Sequence, residues 1–279
     1  MIELEDFFED VLGKTLRGTG MSEGVLSFLT NVPPEKIEQL KDGEFDEKAA
    51  RAIAPALGLD ADCLVELASR SWHPEPVELE GLRQFNTLFD PDPDEPMTVN
   101  SYLIWDPQTK EAALFDTGAD ASPALAAIEE LGLKLETLFL THSHVDHIID
   151  RDKVLEAHPG ITVLVNAKEP VENATRFAVG DAFSIGTLRV TTRLTWGHSP
   201  AGTTYVVNGL DRPVAVVGDA VFAQSMGGGV ISFKDALATN RNEIFSLQDR
   251  TVICPGHGPM TSVGEEKAHN PFFPEFKSS

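Results

Sequence analysis

Apolar positions in roughly the first quarter of the chain recur at helical spacing, with almost no strand-like alternation. The pattern predicts short helices over Asp6–Lys14, Met21–Thr30 and Pro33–Lys41. The second carries Val25, Phe28 and Leu29 on one face, and the third opens on Pro-Pro, which suits a first helical turn. A fourth is predicted over Asp46–Leu57, with Ala50, Ile53, Ala54 and Leu57 at helical spacing and Pro55 bending its end. Asp60 is placed to cap a fifth, running through Leu64, Val65 and Leu67.

Around His73-Pro74-Glu75-Pro76 the pattern changes, and this proline-marked stretch divides a helical region, residues 1–75, from a second region, residues 76–279. Strand patterns begin at Met97 (MTVNSYLIW), Glu111 (EAALFDTG), Glu136 (ETLFLTHSH), Ile161 (ITVLVN), Thr187 (TLRVTTRLTW), Thr203 (TTYVVNG), Pro213 (PVAVVGD) and Thr251 (TVICPGHG). Helices are predicted between them over Ser122–Leu131, Arg151–His158 and Asp235–Leu247. This mixture favours an α/β arrangement with helices packed outside one or two sheets, and no internal repeat is evident.

Charge narrows the range of partners. The 44 acidic against 22 basic residues give a formal charge of −22, which repels phosphate backbones and anionic lipid surfaces. Apolar runs are too short and interrupted for a membrane span, and the opening Met1-Ile2-Glu3-Leu4-Glu5-Asp6 has acid where a signal peptide needs base, so a cytoplasmic location is expected. Cys63 and Cys254 form no C-x-x-C pair and read as small buried apolar residues.

Five of the eight histidines fall in three short segments, each just after a predicted strand. In THSHVDHI, His142, His144, Asp146 and His147 lie within six residues, and imidazole nitrogens with carboxylate oxygens at this spacing suit a borderline divalent ion. His198 (TWGHSPAGTT), Asp219 (VVGDAVF) and His257 (CPGHGP) are weak signals singly, since Asp219 could cap a turn and His257 could sit in a Gly-Pro loop. Their joint order after THSHVDH is the stronger signal.

Two resemblances follow. The stretch from Met21, MSEGVLSFLTNVPPEKIEQLKDGEFDEKAARAIAPALGLDADCLVELA, resembles the helix-turn-helix domain of the phage-repressor type over about a quarter of the chain. That resemblance would send Pro33–Lys41 into a DNA major groove. The helix offers only Glu35, Lys36, Glu38, Gln39 and Lys41, and residues 1–75 hold 16 acids against seven bases, the wrong balance for neutralising phosphates. A module that dimerises, packs on the second region or borders its pocket is the favoured expectation.

From about residue 80 to 275, the series T-H-x-H-x-D-H, G-H-S-P, G-D-A and P-G-H-G-P resembles the metallo-β-lactamase superfamily, and within it the glyoxalase II-like hydrolases. The resemblance implies a four-layer αβ/βα sandwich, preceded here by the small all-α module, with metals at one end of two facing sheets. It implies that His142, His144 and His198 hold one ion and Asp146, His147 and His257 another, with Asp219 bridging. Asp116, in LFDTGA, would orient a ligand histidine from behind. The expected cofactors are two divalent ions, zinc first and iron or manganese as alternatives. The expected reaction is cleavage of a small-molecule thioester or related ester by a metal-bridging hydroxide, with Asp146 orienting it and relaying a proton.

Several positions are ambiguous or depart from the family. Ile148-Ile149-Asp150-Arg151 stands where relatives commonly show glycine; Asp150 is expected to cap the next helix, and Arg151 to be solvated or to meet an anionic substrate. Gly227-Gly228-Gly229 reads either as a loop over the site or as a surface turn, and Trp196 and Phe222 as core residues or pocket lining. With 22 residues after His257, the further helical domain that gives full glyoxalase II relatives basic contacts to glutathione is not expected here. The competing readings are a mononuclear iron persulfide dioxygenase on the same fold and a DNA-binding regulator with a sensing metal domain. An exported β-lactamase or a nuclease ranks below these.

Overall fold

The computed structural model describes residues 2–90 and 97–277. Met1 of the acidic opening and the last two residues of the second predicted region lie outside that range. The helical region contains α1 (Phe8–Thr19), α2 (Glu23–Thr30), α3 (Pro34–Lys41), α4 (Glu47–Ile53) and α5 (Ala61–Ser69). Local chemistry sets their ends. The side chains of Ser22, Asp46 and Asp60 accept bonds from the backbone N–H of Val25, Ala49 and Cys63, and Pro55 lies in a 3-10 turn, Ala54–Leu57, that continues α4. The face of α2 that carries Val25, Phe28 and Leu29 is exposed, Phe28 by 84%; Leu26 is the residue that turns inward.

Beyond residue 80 the chain builds two six-stranded sheets. The first contains β1 (Leu82–Phe89), β2 (Met97–Trp105), β3 (Glu111–Phe115), β4 (Lys134–Phe139), β5 (Thr162–Asn166) and β6 (Thr175–Phe177), side by side in that order. Its first three strands are antiparallel, and β3 to β6 run parallel. The second sheet contains β7 (Ala182–Ile185), β8 (Leu188–Leu194), β9 (Thr203–Asn208), β10 (Val214–Gly218), β11 (Val252–Pro255) and β12 (Thr261–Ser262), with β10 and β11 parallel and the other neighbours antiparallel. The intervening helices are α6 (Ser122–Glu130), the one-turn α7 (Val145–Ile148), α8 (Arg151–Ala157), α9 (Phe233–Thr239) and α10 (Val263–His269). No helix among the described residues is long and apolar enough to cross a membrane.

Three apolar clusters hold the layers together. Tyr102, Phe115, Phe139, Tyr205, Val216 and Cys254 pack together between the sheets. Ala124, Ile128 and Val154, from α6 and α8, cover the outer face of the first sheet. The outer face of the second sheet shares its cluster with the helical region: Leu12, Leu26 and Leu64 join Ala215, Val217, Phe233 and Phe272. The chain is thus an α/β sandwich of two sheets flanked by helices, with the five N-terminal helices packed onto one flank.

Candidate metal centre

Each predicted site residue follows the C-terminal end of a strand, where a chain leaving the sheet can turn side chains into a common crevice. Asp116 follows β3, Thr141 and His142 follow β4, His198 follows β8, Asp219 follows β10 and His257 follows β11. His144 opens the turn of α7, which carries Asp146 and His147. Donor atoms of His142, His144, His198 and Asp219 lie within 4.8 Å of one another, and so do those of Asp146, His147 and His257. Asp219 faces both groups: Oδ2 is 3.2 Å from His198 Nε2 and 3.5 Å from His257 Nε2, and Oδ1 is 3.2 Å from His147 Nε2.

Hydrogen bonds behind the cluster aim the imidazoles. His198 Nδ1 donates to the Gly228 carbonyl at 2.9 Å and His257 Nδ1 to the Thr98 carbonyl at 2.6 Å, since a carbonyl oxygen can only accept. His147 Nδ1 donates to Asp116 Oδ2 at 2.9 Å. Asp116 also accepts from Thr141 Oγ1 at 2.7 Å; having given its proton there, that hydroxyl accepts from His142 Nδ1 at 2.9 Å. Asp116 therefore orients two histidines, one directly and one through Thr141, from a left-handed backbone position of φ 56°. Four rings in this way keep Nδ1 as a donor and turn Nε2 inward, while His144 turns Nδ1 inward, 3.1 Å from His142 Nε2 and 2.9 Å from His198 Nε2.

This donor set fits divalent cations. His147 Nε2 and Asp219 Oδ1 are buried 3.2 Å apart, and neither has a hydrogen-bond partner. Burial and the neighbouring His147 push His142 well below its ordinary pKa, and burial with His198 lowers His144. Burial alone would lower His147 too, but Asp219 and Asp116 outweigh it and raise its pKa to about 10. His257 likewise rises against burial, because it faces Asp219 and Asp146. Asp219 falls well below the carboxylate range despite burial, held there by His257 and His147, and Asp146 falls despite burial through its bond from His257. The two inward carboxylates thus draw positive charge onto the facing rings, a demand that a divalent ion satisfies.

The loops around the cluster correct three expectations, on the glycine triad, Asp150 and Arg151. Gly227-Gly228-Gly229 is a packed wall: a Cβ on Gly227 would overlap the Asp219 carbonyl and approach His198 Nδ1 at 3.0 Å, and one on Gly229 would meet Phe233 N at 2.7 Å. Asp150 stands at the start of α8, but its carboxylate accepts from Ala121 N, before α6, at 2.7 Å and pairs with Lys153 at 3.1 Å; it does not cap its own helix. Arg151 Nη1 donates to the Glu172 carbonyl at 2.8 Å, so the guanidinium is tied to a neighbouring loop. Phe222 is buried with its ring edge-on to His257 at 5.5 Å, whereas Trp196 is only half-buried. Cys63 and Cys254 are both buried.

Sequence reasoning missed three supports. Glu169, fully buried, accepts from Ser143 Oγ at 2.6 Å, Ser199 Oγ at 2.8 Å and Ala201 N at 2.7 Å, joining the THSHVDH loop to the GHSP loop. Asn100 Nδ2 donates to the Pro255 and Gly258 carbonyls at 2.9 and 2.8 Å, and Tyr102 OH to Pro255 at 2.7 Å, pinning the PGHGP loop to β2. Thr141, next to a ligand candidate in the motif, is the third, and its motif position was the one available signal.

Known proteins resemble this chain over its second region. The family model described as the metallo-beta-lactamase superfamily matches residues 94–257, and the five N-terminal helices lie before that span. The hydroxyacylglutathione hydrolase GloC of Haemophilus influenzae is 29% identical over 203 residues, covering 62% of this chain and 92% of that protein. The mitochondrial persulfide dioxygenase ETHE1 of Homo sapiens is 30% identical over 181 residues, covering 61% of this chain and 70% of its own. The crystal structure of the BLEG-1 B3 metallo-beta-lactamase superposes with a TM-score of 0.57 at 27% identity, over 68% of this chain and 99% of that one. With more than half of its length matched by the family model, the chain belongs to the metallo-beta-lactamase superfamily.

Proposed function

We propose that the chain is a dinuclear metal-dependent hydrolase of the glyoxalase II-like type, cleaving a thioester or related acyl ester. The observation that carries this reading is Asp219, a single carboxylate whose oxygens reach both donor groups. His142, His144 and His198 would hold one ion, Asp146, His147 and His257 the second, and Asp219 both; zinc suits this nitrogen-rich set first. Divalent ions held there supply Lewis acidity toward an acyl oxygen and bring the pKa of water from about 16 to near 7.

The chain's own groups do the rest. Asp146, ionised and 3.4 Å from both His147 Nε2 and His257 Nε2, is placed to accept a proton from the attacking water at Oδ2 and to pass it to the leaving thiolate. Asp116 and Thr141 hold their rings in the tautomer that leaves Nε2 free. Neither cysteine competes for the nucleophile's role, since Cys63 is pushed by burial up to about 12 and Cys254 well above its ordinary value.

A mononuclear iron persulfide dioxygenase is the second reading, supported by the human relative's similar identity. A single ion held by one donor group would leave the other group without a task. A thioester panel under anaerobic conditions, with thiol release as readout, separates the two. Turnover without oxygen is expected; oxygen uptake with glutathione persulfide and no thioester cleavage would overturn the hydrolase reading. This reading takes no DNA partner: α3 offers only two lysines, each facing an acid, Lys36 with Asp46 at 3.3 Å and Lys41 with Glu23, on a chain of formal charge −22.

A further inference from the structure

The loop from Asp219 to Gly229 joins the carboxylate that faces both donor groups to the wall that orients His198. Within the loop, Gly227 N donates to the Asp219 carbonyl at 3.1 Å, and Gly228 O receives His198 Nδ1 at 2.9 Å. Three consecutive residues at its middle are fastened from outside, and each fastening includes a residue of the N-terminal helical region. Gln224, in the left-handed region at φ 57°, donates through Nε2 to Glu66 of α5 at 3.0 Å. Ser225 Oγ donates to Asp6, and the Met226 carbonyl accepts from Lys14 Nζ of α1 at 2.9 Å, while Lys14 pairs with Asp6. Gln224, Ser225, Met226 and Asp6 are all buried.

The same N-terminal segment reaches the other ligand loop. A Cβ on Gly258 would stand 3.2 Å from Glu5 N and 3.6 Å from Glu3 O, so the segment lies directly across PGHGP. Glu5 Oε1 is 3.9 Å from His257 Nδ1, and the start of the segment is held by His73 Nε2 on the Ile2 carbonyl at 3.0 Å. One extended stretch, residues 2–6, therefore touches the loop after β10 and the loop after β11, which between them carry Asp219 and His257 and orient His198.

We propose that the helical module is a built-in clamp on the metal centre, with Asp6 and Lys14 as positioning residues that fix the 219–229 loop and so slow the escape of bound metal. The proposal rests on the reading of the cluster as a metal site. A ligand's affinity depends on how little it must be ordered when the ion arrives, so a partner that holds the ligand's loop acts on metal retention even without touching the ion. The arrangement also gives a role to a module whose α3 lysines are paired with acids.

The test is transfer of metal from the purified, metal-loaded protein to a chromogenic chelator, followed in time, with metal content of the starting material measured alongside. Lys14→Met and Asp6→Asn are expected to release metal about tenfold faster than the parent, the lower end of the range for partners behind a ligand. Lys14→Arg, which keeps the charge and reach, should restore slow release. Leu135→Ala, a cavity variant in the outer core of the first sheet, is the control for general loss of stability and should release metal at the parent rate. Parent-like release by Lys14→Met and Asp6→Asn, or equal acceleration by Leu135→Ala, would overturn the clamp. A parent protein holding fewer than two ions would instead refute the reading beneath it.

Discussion

Asp219 sits where the two donor groups meet, and its removal should be felt by both. Asp219→Ala is expected to lower bound metal per chain and to cut thioester turnover by more than about 100-fold, beyond the usual cost of losing a residue behind a ligand. Lys36→Ala, which breaks only an exposed pair with Asp46, should turn over at the parent rate. Elemental analysis and initial rates check both, and a fully active, fully loaded Asp219→Ala protein would contradict the assignment. Glu266 gives a separate residue-scale prediction about stability. Burial raises its pKa from 4.5 to about 7, against bonds donated by Asn270, Thr261 and the Gln224 N–H. The folded state therefore holds a proton that the unfolded state releases, and this contribution is full below pH 4.5 and lost as pH rises through about 7. Glu266→Gln can keep the same partners without ionising, so urea unfolding from pH 5 to 8 should show a flatter profile, with up to roughly 3 kcal/mol gained at the alkaline end. Parallel profiles for the two proteins would refute it.

At the scale of elements, the site depends on turns that only glycine allows. A Cβ on Gly256 would overlap Asp219 Oδ1 and approach His147 Cε1 at 2.7 Å, so the PGHGP loop closes on the cluster with no room for a methyl group. Gly256→Ala is expected to fold, because the sheets and their cores do not depend on this residue, but to bind less metal than the parent. Near-ultraviolet circular dichroism with metal analysis checks this, and parent-level metal would contradict it. The ligand loops were legible because the motif residues follow strong apolar runs. β1 was missed because its burial is partial along most of its length and its apolar residues do not alternate, as befits an edge strand. β6, β7 and β12 have three, four and two residues, too few for a period to register. Glu169 was invisible for another reason: nothing in AKEPV distinguishes a buried carboxylate with three donors from a solvated loop acid.

For the whole molecule, local helix patterns foretold the five N-terminal helices, but not where they pack. The exposed Val25, Phe28 and Leu29 and the buried Leu26 show the limit of a helical stripe on so short a helix. What the chain does with its module is decided by contacts between residues far apart in sequence, such as Asp6 with Ser225 and Glu66 with Gln224, and no periodicity reports those. The two-sheet sandwich brings the ends of β3, β4, β8, β10 and β11 together, and the cluster of five histidines and two aspartates is the product of that convergence. The central claim is that this cluster holds two ions sharing Asp219. Elemental analysis of protein purified without chelator or added metal tests it most directly. Near two equivalents of divalent metal per chain is the predicted result; a single equivalent of iron, with no second metal, would contradict it.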